Sequence, residues 1–143
     1  MGVWQCWIPY YGSPVVGLTL RYDRIDNFWF SLIHELVHIA RHLTGDKQII
    51  VDDFDLRKHE QGGMDRGEQE ADELASSSLI PKEHWKRISD MDAITSKEVK
   101  DIAEELKIHP AIIAGRIRLE RNNYRLLTKP VGQGKVRQLF KEV

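Results

Sequence analysis

Phe28-Trp29-Phe30-Ser31-Leu32-Ile33-His34-Glu35-Leu36-Val37-His38-Ile39-Ala40-Arg41-His42-Leu43 is the stretch on which the reading of this chain turns. Its apolar residues Trp29, Leu32, Ile33, Leu36, Ile39, Ala40 and Leu43 recur at helical spacing and cover more than half of a helix surface. That pattern predicts a helix from about 28 to 43, buried on most sides. Asp26 or Asn27 can cap its start, and Gly45 suits the position just past its end. Within this apolar frame His34 and His38 stand four residues apart, one above the other on a single face. Two histidines and Glu35 are costly to bury there unless something pairs them. Core histidines satisfied by hydrogen bonds are the ordinary alternative; a shared metal ion satisfies both rings at once. Zn2+ takes nitrogen, oxygen or sulfur donors in a tetrahedron, and a catalytic site keeps one position for water. Glu35 lies beside the pair, where a carboxylate can take a proton from such a water.

Two imidazoles need a third donor. The segment Glu68-Gln69-Glu70-Ala71-Asp72 opens a second helix, expected from about Arg66 to Leu79 and stopping before Pro81. Glu68 and Asp72 share a face, so Glu68 can reach the ion while Asp72 accepts the free N–H of a ligating histidine. Glu70 and Glu73 compete for the ligand role, and an exposed acidic first turn that complements the helix dipole is the plainer reading. Ala71 and Ala75 nevertheless permit close helix packing at this point. His42 reads as exposed or as a neighbour of the ligands, and His59, in the long loop, as a plain surface histidine, the alternative being one that assists substrate or transition-state charge. His84 and His109 adjoin proline-led helix starts and read as structural or exposed.

The remaining elements frame these helices. Val3–Tyr11 and Val15–Tyr22, rich in β-branched and aromatic residues, flank Gly12-Ser13-Pro14 and read as a hairpin. Ile49-Ile50-Val51 suits an edge strand, and Asp52 to Gly67, with Gly62-Gly63, a long loop. Pro81 opens a short helix to Ile88. Thr95 and Glu98 form a capping box for a helix ending near Leu106, and His109-Pro110 opens another from Ala111 to about Asn122. The tail, with Pro130, Gly132 and Gly134, reads as irregular. The expected fold is α+β: a small antiparallel sheet packed on the buried motif helix, the glutamate helix beside it, and further helices behind.

The 143 residues suffice for one domain, 1–143, with sheet, motif helix and glutamate helix in 1–91 and a helical, basic part in 92–143. With 21 basic and 22 acidic residues the net charge is −1, which gives no whole-chain argument for nucleic acid or membrane. The charge is uneven, however. Acids dominate from Asp52 to Glu73, whereas Glu120 is the only acid between Lys107 and Lys141. Cys6 is the only cysteine, which excludes an intrachain disulfide and a thiolate zinc cluster and fits a reducing, cytoplasmic setting. No secretory signal is visible, and the most apolar stretch is broken by His34, Glu35, His38 and Arg41, so no membrane span is expected. The abrupt entry from Met1-Gly2 into a strand suggests the later part of a longer protein.

Taken together, Asp26-Asn27-Phe28-Trp29-Phe30-Ser31-Leu32-Ile33 before His34-Glu35-Leu36-Val37-His38, then Glu68-x-x-Ala71-Asp72-x-x-Ala75, then Leu79-Ile80-Pro81, resembles the ImmA/IrrE family of zinc metallopeptidases. Leu18 to Phe30 looks most like the branch fused behind a helix-turn-helix in long HigA-type antitoxins, and the likeness extends through Ile108-His109-Pro110-Ala111-Ile112-Ile113-Ala114-Gly115-Arg116. The resemblance implies a zincin-like domain, Zn2+ held by His34, His38 and Glu68, and Glu35 as catalytic base. It also implies peptide-bond hydrolysis of a protein substrate or partner, a DNA-binding repressor or regulator. Its antitoxin branch would place a helix-turn-helix domain before Met1, absent here. The family often has Asn at Asp72 and Gly at Val37; neither departure removes a ligand, though Val37 narrows the space beside the metal.

A competing expectation comes from residues 96–121, whose spacing resembles a helix-turn-helix. Arg116, Arg118, Arg121 and Arg125 would then edge a phosphate-binding helix, and the chain would be a transcriptional regulator with a structural or vestigial metal site. The turn lacks the usual glycine near Lys107, and two packed helices of one domain show the same pattern. DNA binding by this chain is therefore not expected.

Overall fold

The computed structural model describes residues 4–7, 15–18, 20–42, 50–53 and 66–140. Among these, three short strands are β1 (Trp4–Trp7), β2 (Val16–Gly17) and β3 (Ile50–Asp53). They pair antiparallel in the order β2-β1-β3, with Cys6 opposite both Gly17 and Val51. The rest is mainly helical: α1 (Ile25–Val37), α2 (Arg66–Leu79), α3 (Lys82–Ser89), α4 (Ser96–Leu106) and α5 (Pro110–Glu120). The expected hairpin turn at Gly12-Ser13-Pro14, the helix end at Leu43 with Gly45, and residues 54–65 of the expected loop, with His59, lie outside the described residues.

The core lies among α3, α4, α5 and the tail, where Ile80, Ile88, Val99, Ile102, Ile112, Ile113, Ile117 and Val131 are buried together. Each such side chain contributes about 1.5–3 kcal/mol relative to exposure. Helix α4 begins as its sequence dictates. Thr95 Oγ1 accepts the Glu98 N–H at 3.2 Å, and the Glu98 carboxylate accepts the Thr95 N–H at 2.7 Å. Its end is less ordinary, because Lys107 occupies the left-handed cap at φ 55°. His109 caps α5, its Nδ1 accepting the Ala111 N–H at 3.1 Å, with Pro110 in the first turn.

Helix α1 is held chiefly by α2 on one side and α5 on the other. Ala71 and Ala75 of α2 are fully buried, so α2 approaches through its smallest side chains. On the α5 side, Gly115 meets Asp26 so closely that a Cβ there would fall 2.0 Å from Asp26 Oδ2.

Three expectations for this region need correction. The strand expected from Val15 to Tyr22 is cut short, because Arg21–Asp23 form a 3-10 turn with left-handed Tyr22 (φ 66°) and Asp23 (φ 44°). The tail holds that turn: the Asp23 carbonyl accepts the Gly134 N–H at 2.7 Å, and Asp23 Oδ1 accepts the Arg137 N–H at 2.7 Å. Helix α1 starts at Ile25 rather than Phe28, with Arg24 at the cap position. Asp26 sits inside the first turn, paired with the Arg24 guanidinium, where its charge suits the helix dipole. The motif helix is also not buried on most sides. Trp29 and Leu36 are 40 and 44% exposed, whereas Ser31, His34, Glu35 and His38 are buried. Its polar face turns inward, towards α2.

Candidate metal centre

Helix α1 winds as an α-helix to Val37 and continues as a π-type turn over His38–His42. The second histidine thus sits where the winding changes, a feature frequent at functional sites. His34 Nε2 and His38 Nε2 face each other at 3.0 Å. From α2, Glu68 places Oε2 3.4 Å from His34 Nε2 and Oε1 3.2 Å from His38 Nε2. The imidazoles are buried, and the Glu68 side chain is 21% exposed, so the cluster opens on the carboxylate side.

These separations can be tested against a metal. For bonds of about 2.0 Å at tetrahedral angles, neighbouring ligand atoms lie about 3.3 Å apart. The two imidazole nitrogens, 3.0 Å apart, come near that edge length, and each lies within 3.4 Å of a different oxygen of the Glu68 carboxylate. His34, His38 and Glu68 could hold a metal ion, and one donor atom from each lies within 4.8 Å of the others. Two imidazoles and one carboxylate leave a fourth tetrahedral position, the composition of catalytic rather than structural zinc sites.

The flanking residues sort themselves by partner. Asp72 Oδ1 lies 2.8 Å from His34 Nδ1, the contact expected for a carboxylate that fixes a ligand's tautomer. Glu35, beside His34, is fully buried. Of the competing third ligands, Glu70 accepts from His42 Nε2 at 3.0 Å and lies 3.6 Å from Arg41 Nε. Glu73 accepts from Lys82 Nζ at 2.6 Å, and that bond and charge hold its carboxyl below the ordinary value. Both are thereby turned to other partners. His42 is not a mere surface group: its Nδ1 lies 2.9 Å from His38 Nδ1. His84 stands 3.5 Å from Glu105 and His109 caps α5, the peripheral places expected for them. What sequence reasoning missed was the contact between His42 and Glu70. The four-residue step of the motif places His42 next to His38, but no spacing points its other nitrogen at Glu70.

Three of the four arginines proposed for a phosphate-binding edge are engaged within the chain, and the fourth, Arg125, is exposed. Arg116 bonds Glu120 and the Ser76 carbonyl and lies over Trp85, its guanidinium carbon 4.0 Å from the ring centroid. Arg118 is buried and donates to the Tyr124 carbonyl, and Arg121 donates to the carbonyls of Met91 and Asp92. Residues Ala111–Ala114 and Ile117 of α5 are buried as well.

Paired histidines on one helix, a glutamate between them and a carboxylate from the next helix define a metallopeptidase-like domain. The comparison with known families agrees: residues 11–118 match the IrrE N-terminal-like domain, Peptidase M78. The chain belongs to that family. Neither the curated proteins nor the solved structures include a match to it.

Proposed function

We propose that this chain is a zinc-dependent metallo-endopeptidase acting on a protein, with His34, His38 and Glu68 as metal ligands and Glu35 as catalytic base. The observation that carries the reading is the meeting of two imidazole nitrogens, 3.0 Å apart, with a carboxylate from a second helix distant in sequence, one ligand atom of each residue lying within 4.8 Å of the others. When bound, Zn2+ would supply Lewis acidity, polarising a scissile carbonyl and acidifying a water. His34 and His38 present unprotonated Nε2 atoms to it, and Asp72 keeps the His34 proton on Nδ1. Glu35 takes the proton released as water attacks the carbonyl and returns it to the leaving amine. Its burial beside His34 keeps bulk water from competing for that transfer.

The fold reading that accompanies this is zincin-like, with the small sheet packed along α1. The substrate class follows from the antitoxin-like stretch Leu18–Phe30: a DNA-binding repressor or regulator, met in the cytoplasm. The lone Cys6 suits that compartment. Among the described residues no helix is long and apolar enough to cross a membrane.

Metal analysis of the purified chain, with cleavage assays on candidate repressors, tests the proposal. Glu35→Gln should keep stoichiometric zinc and lose about 10²–10⁴-fold in cleavage. His38→Ala and Glu68→Ala should lose the metal itself. A Glu35→Gln variant that cleaves at the wild-type rate would remove Glu35 from the chemistry.

A further inference from the structure

We infer that His42 and Glu70 form a positioning relay that sets the proton and ring orientation of His38; the inference rests on the metal centre proposed above. The relay is a chain of three side chains. His38 Nδ1 meets His42 Nδ1 at 2.9 Å, and His42 Nε2 meets Glu70 Oε2 at 3.0 Å. The two rings stack obliquely, centroids 5.0 Å apart and planes at 57°. Along the chain the groups pass from buried His38 through His42, 20% exposed, to Glu70, 45% exposed.

Proton placement makes the sequence of contacts directional. His38 can give a lone pair at Nε2 only if its proton sits on Nδ1. That proton then points at His42 Nδ1, which must be bare to accept it. A neutral His42 with bare Nδ1 carries its proton on Nε2, where a carboxylate is waiting to accept it. Each tautomer fixes the next, and the chain ends on an anion, which has no proton to place. The two ligands of α1 are thus held differently. His34 is backed directly by Asp72, whereas His38 is backed by a neutral imidazole that is itself backed by Glu70. The π-type turn carries both members of the pair, His38 and His42, at its ends.

The test measures affinity for Zn2+ by chelator competition and records the visible spectrum of the Co2+-loaded protein, with melting of the metal-free chain as the control for folding. His42→Leu fills the space without an acceptor and should weaken Zn2+ binding about 10–100-fold and shift the Co2+ bands. In His42→Asn the side-chain oxygen takes the place of Nδ1, so most of the affinity should return. Glu70→Gln, at the solvent edge, should cost less than about tenfold, and nothing further in a His42→Leu background. Wild-type affinity and spectrum in His42→Leu, with binding lost in His38→Ala, would overturn the relay and leave the centre standing. Undiminished binding in His38→Ala would instead remove the centre on which the relay depends. Should His42→Leu fail to fold, His42→Asn decides: full loss of affinity in a folded, normally melting chain contradicts the relay.

Discussion

A glycine with no room for a methyl group and a carboxylate that grips one imidazole are the two residues on which the site's placement rests most directly. Gly115 lets α5 lie against the first turn of α1, where an added Cβ would stand 2.0 Å from Asp26 Oδ2 and 2.5 Å from Asp26 Cβ. Neither atom is the loose end of a long chain, and the carboxylate is held by Arg24. Gly115→Ala should therefore destabilise the protein by about 1–3 kcal/mol, the usual cost of overpacking. Chemical denaturation measures it, and an unchanged midpoint would show that α1 can slide on α5. Asp72 is the second case. Its Oδ1 stands 2.8 Å from His34 Nδ1, so Asp72→Ala should weaken Zn2+ binding about 10–100-fold. Asp72→Asn keeps an acceptor oxygen and should retain most of the affinity, which chelator competition would resolve. Equal losses in both variants would mean that the carboxylate's charge, rather than its acceptor geometry, serves the site.

At the scale of elements, α4 shows how local chemistry can be read directly and where such reading stops. The capping box at Thr95 and Glu98 lies wholly within four residues, so the sequence displays it and the structure contains it. Two bonds from Thr95 hold the Glu98 carboxyl below its ordinary value of 4.5. A depressed folded-state value means the contribution is complete above the unfolded value and is lost as pH falls through the folded one. The box should therefore weaken below pH 4.5, and Glu98→Gln should flatten that part of the acid-unfolding curve. The other end of α4 carries the opposite lesson. Lys107 takes the left-handed cap at φ 55° that glycine adopts without strain, so Lys107→Gly should stabilise the chain by up to about 1 kcal/mol in thermal melts. A lower melting temperature would mean that the Lys107 side chain contributes more than its backbone costs. The start of α1 was harder to foresee, because Asp26 and Asn27 look like caps in isolation. Arg24 and Gly115, one of them 89 residues away by position, decide that Asp26 instead lies inside the first turn. Likewise the apolar periodicity around His34 foretold a helix but not its outward-facing Trp29 and Leu36, since exposure depends on which neighbours arrive. The gathering of His34, His38 and Glu68 was legible because it needs only two four-residue steps and one helix contact; the Glu70–His42 link needs a side-chain direction that no spacing specifies.

For the molecule as a whole, the decisive arrangement is the separation of the apolar core from the metal centre. Ile80, Ile88, Val99, Ile113 and Ile117 are buried among α3, α4 and α5, whereas His34, His38 and Glu68 lie between α1 and α2. A chain of 143 residues is long enough to fold without a structural ion, which makes the proposed centre an addition to the folded body rather than its foundation. Metal should then act as a ligand of the native state: at one hundred times its dissociation constant it adds about 2.7 kcal/mol. For a domain of this length that corresponds to a rise in melting temperature of roughly 10 °C. Chelation should reverse the rise while leaving the far-ultraviolet circular dichroism of the helices in place, since α3, α4 and α5 keep their contacts. His38→Ala should melt where the chelated wild type melts and should not respond to Zn2+. Loss of the helical signal on chelation would show that α1 and α2 cannot stay together without the ion, and that their burial of two imidazoles depends on it. Retention of the signal with a metal-dependent melting temperature is what a preformed site predicts, because Ala71, Ala75 and Gly115 bring the helices together by packing alone.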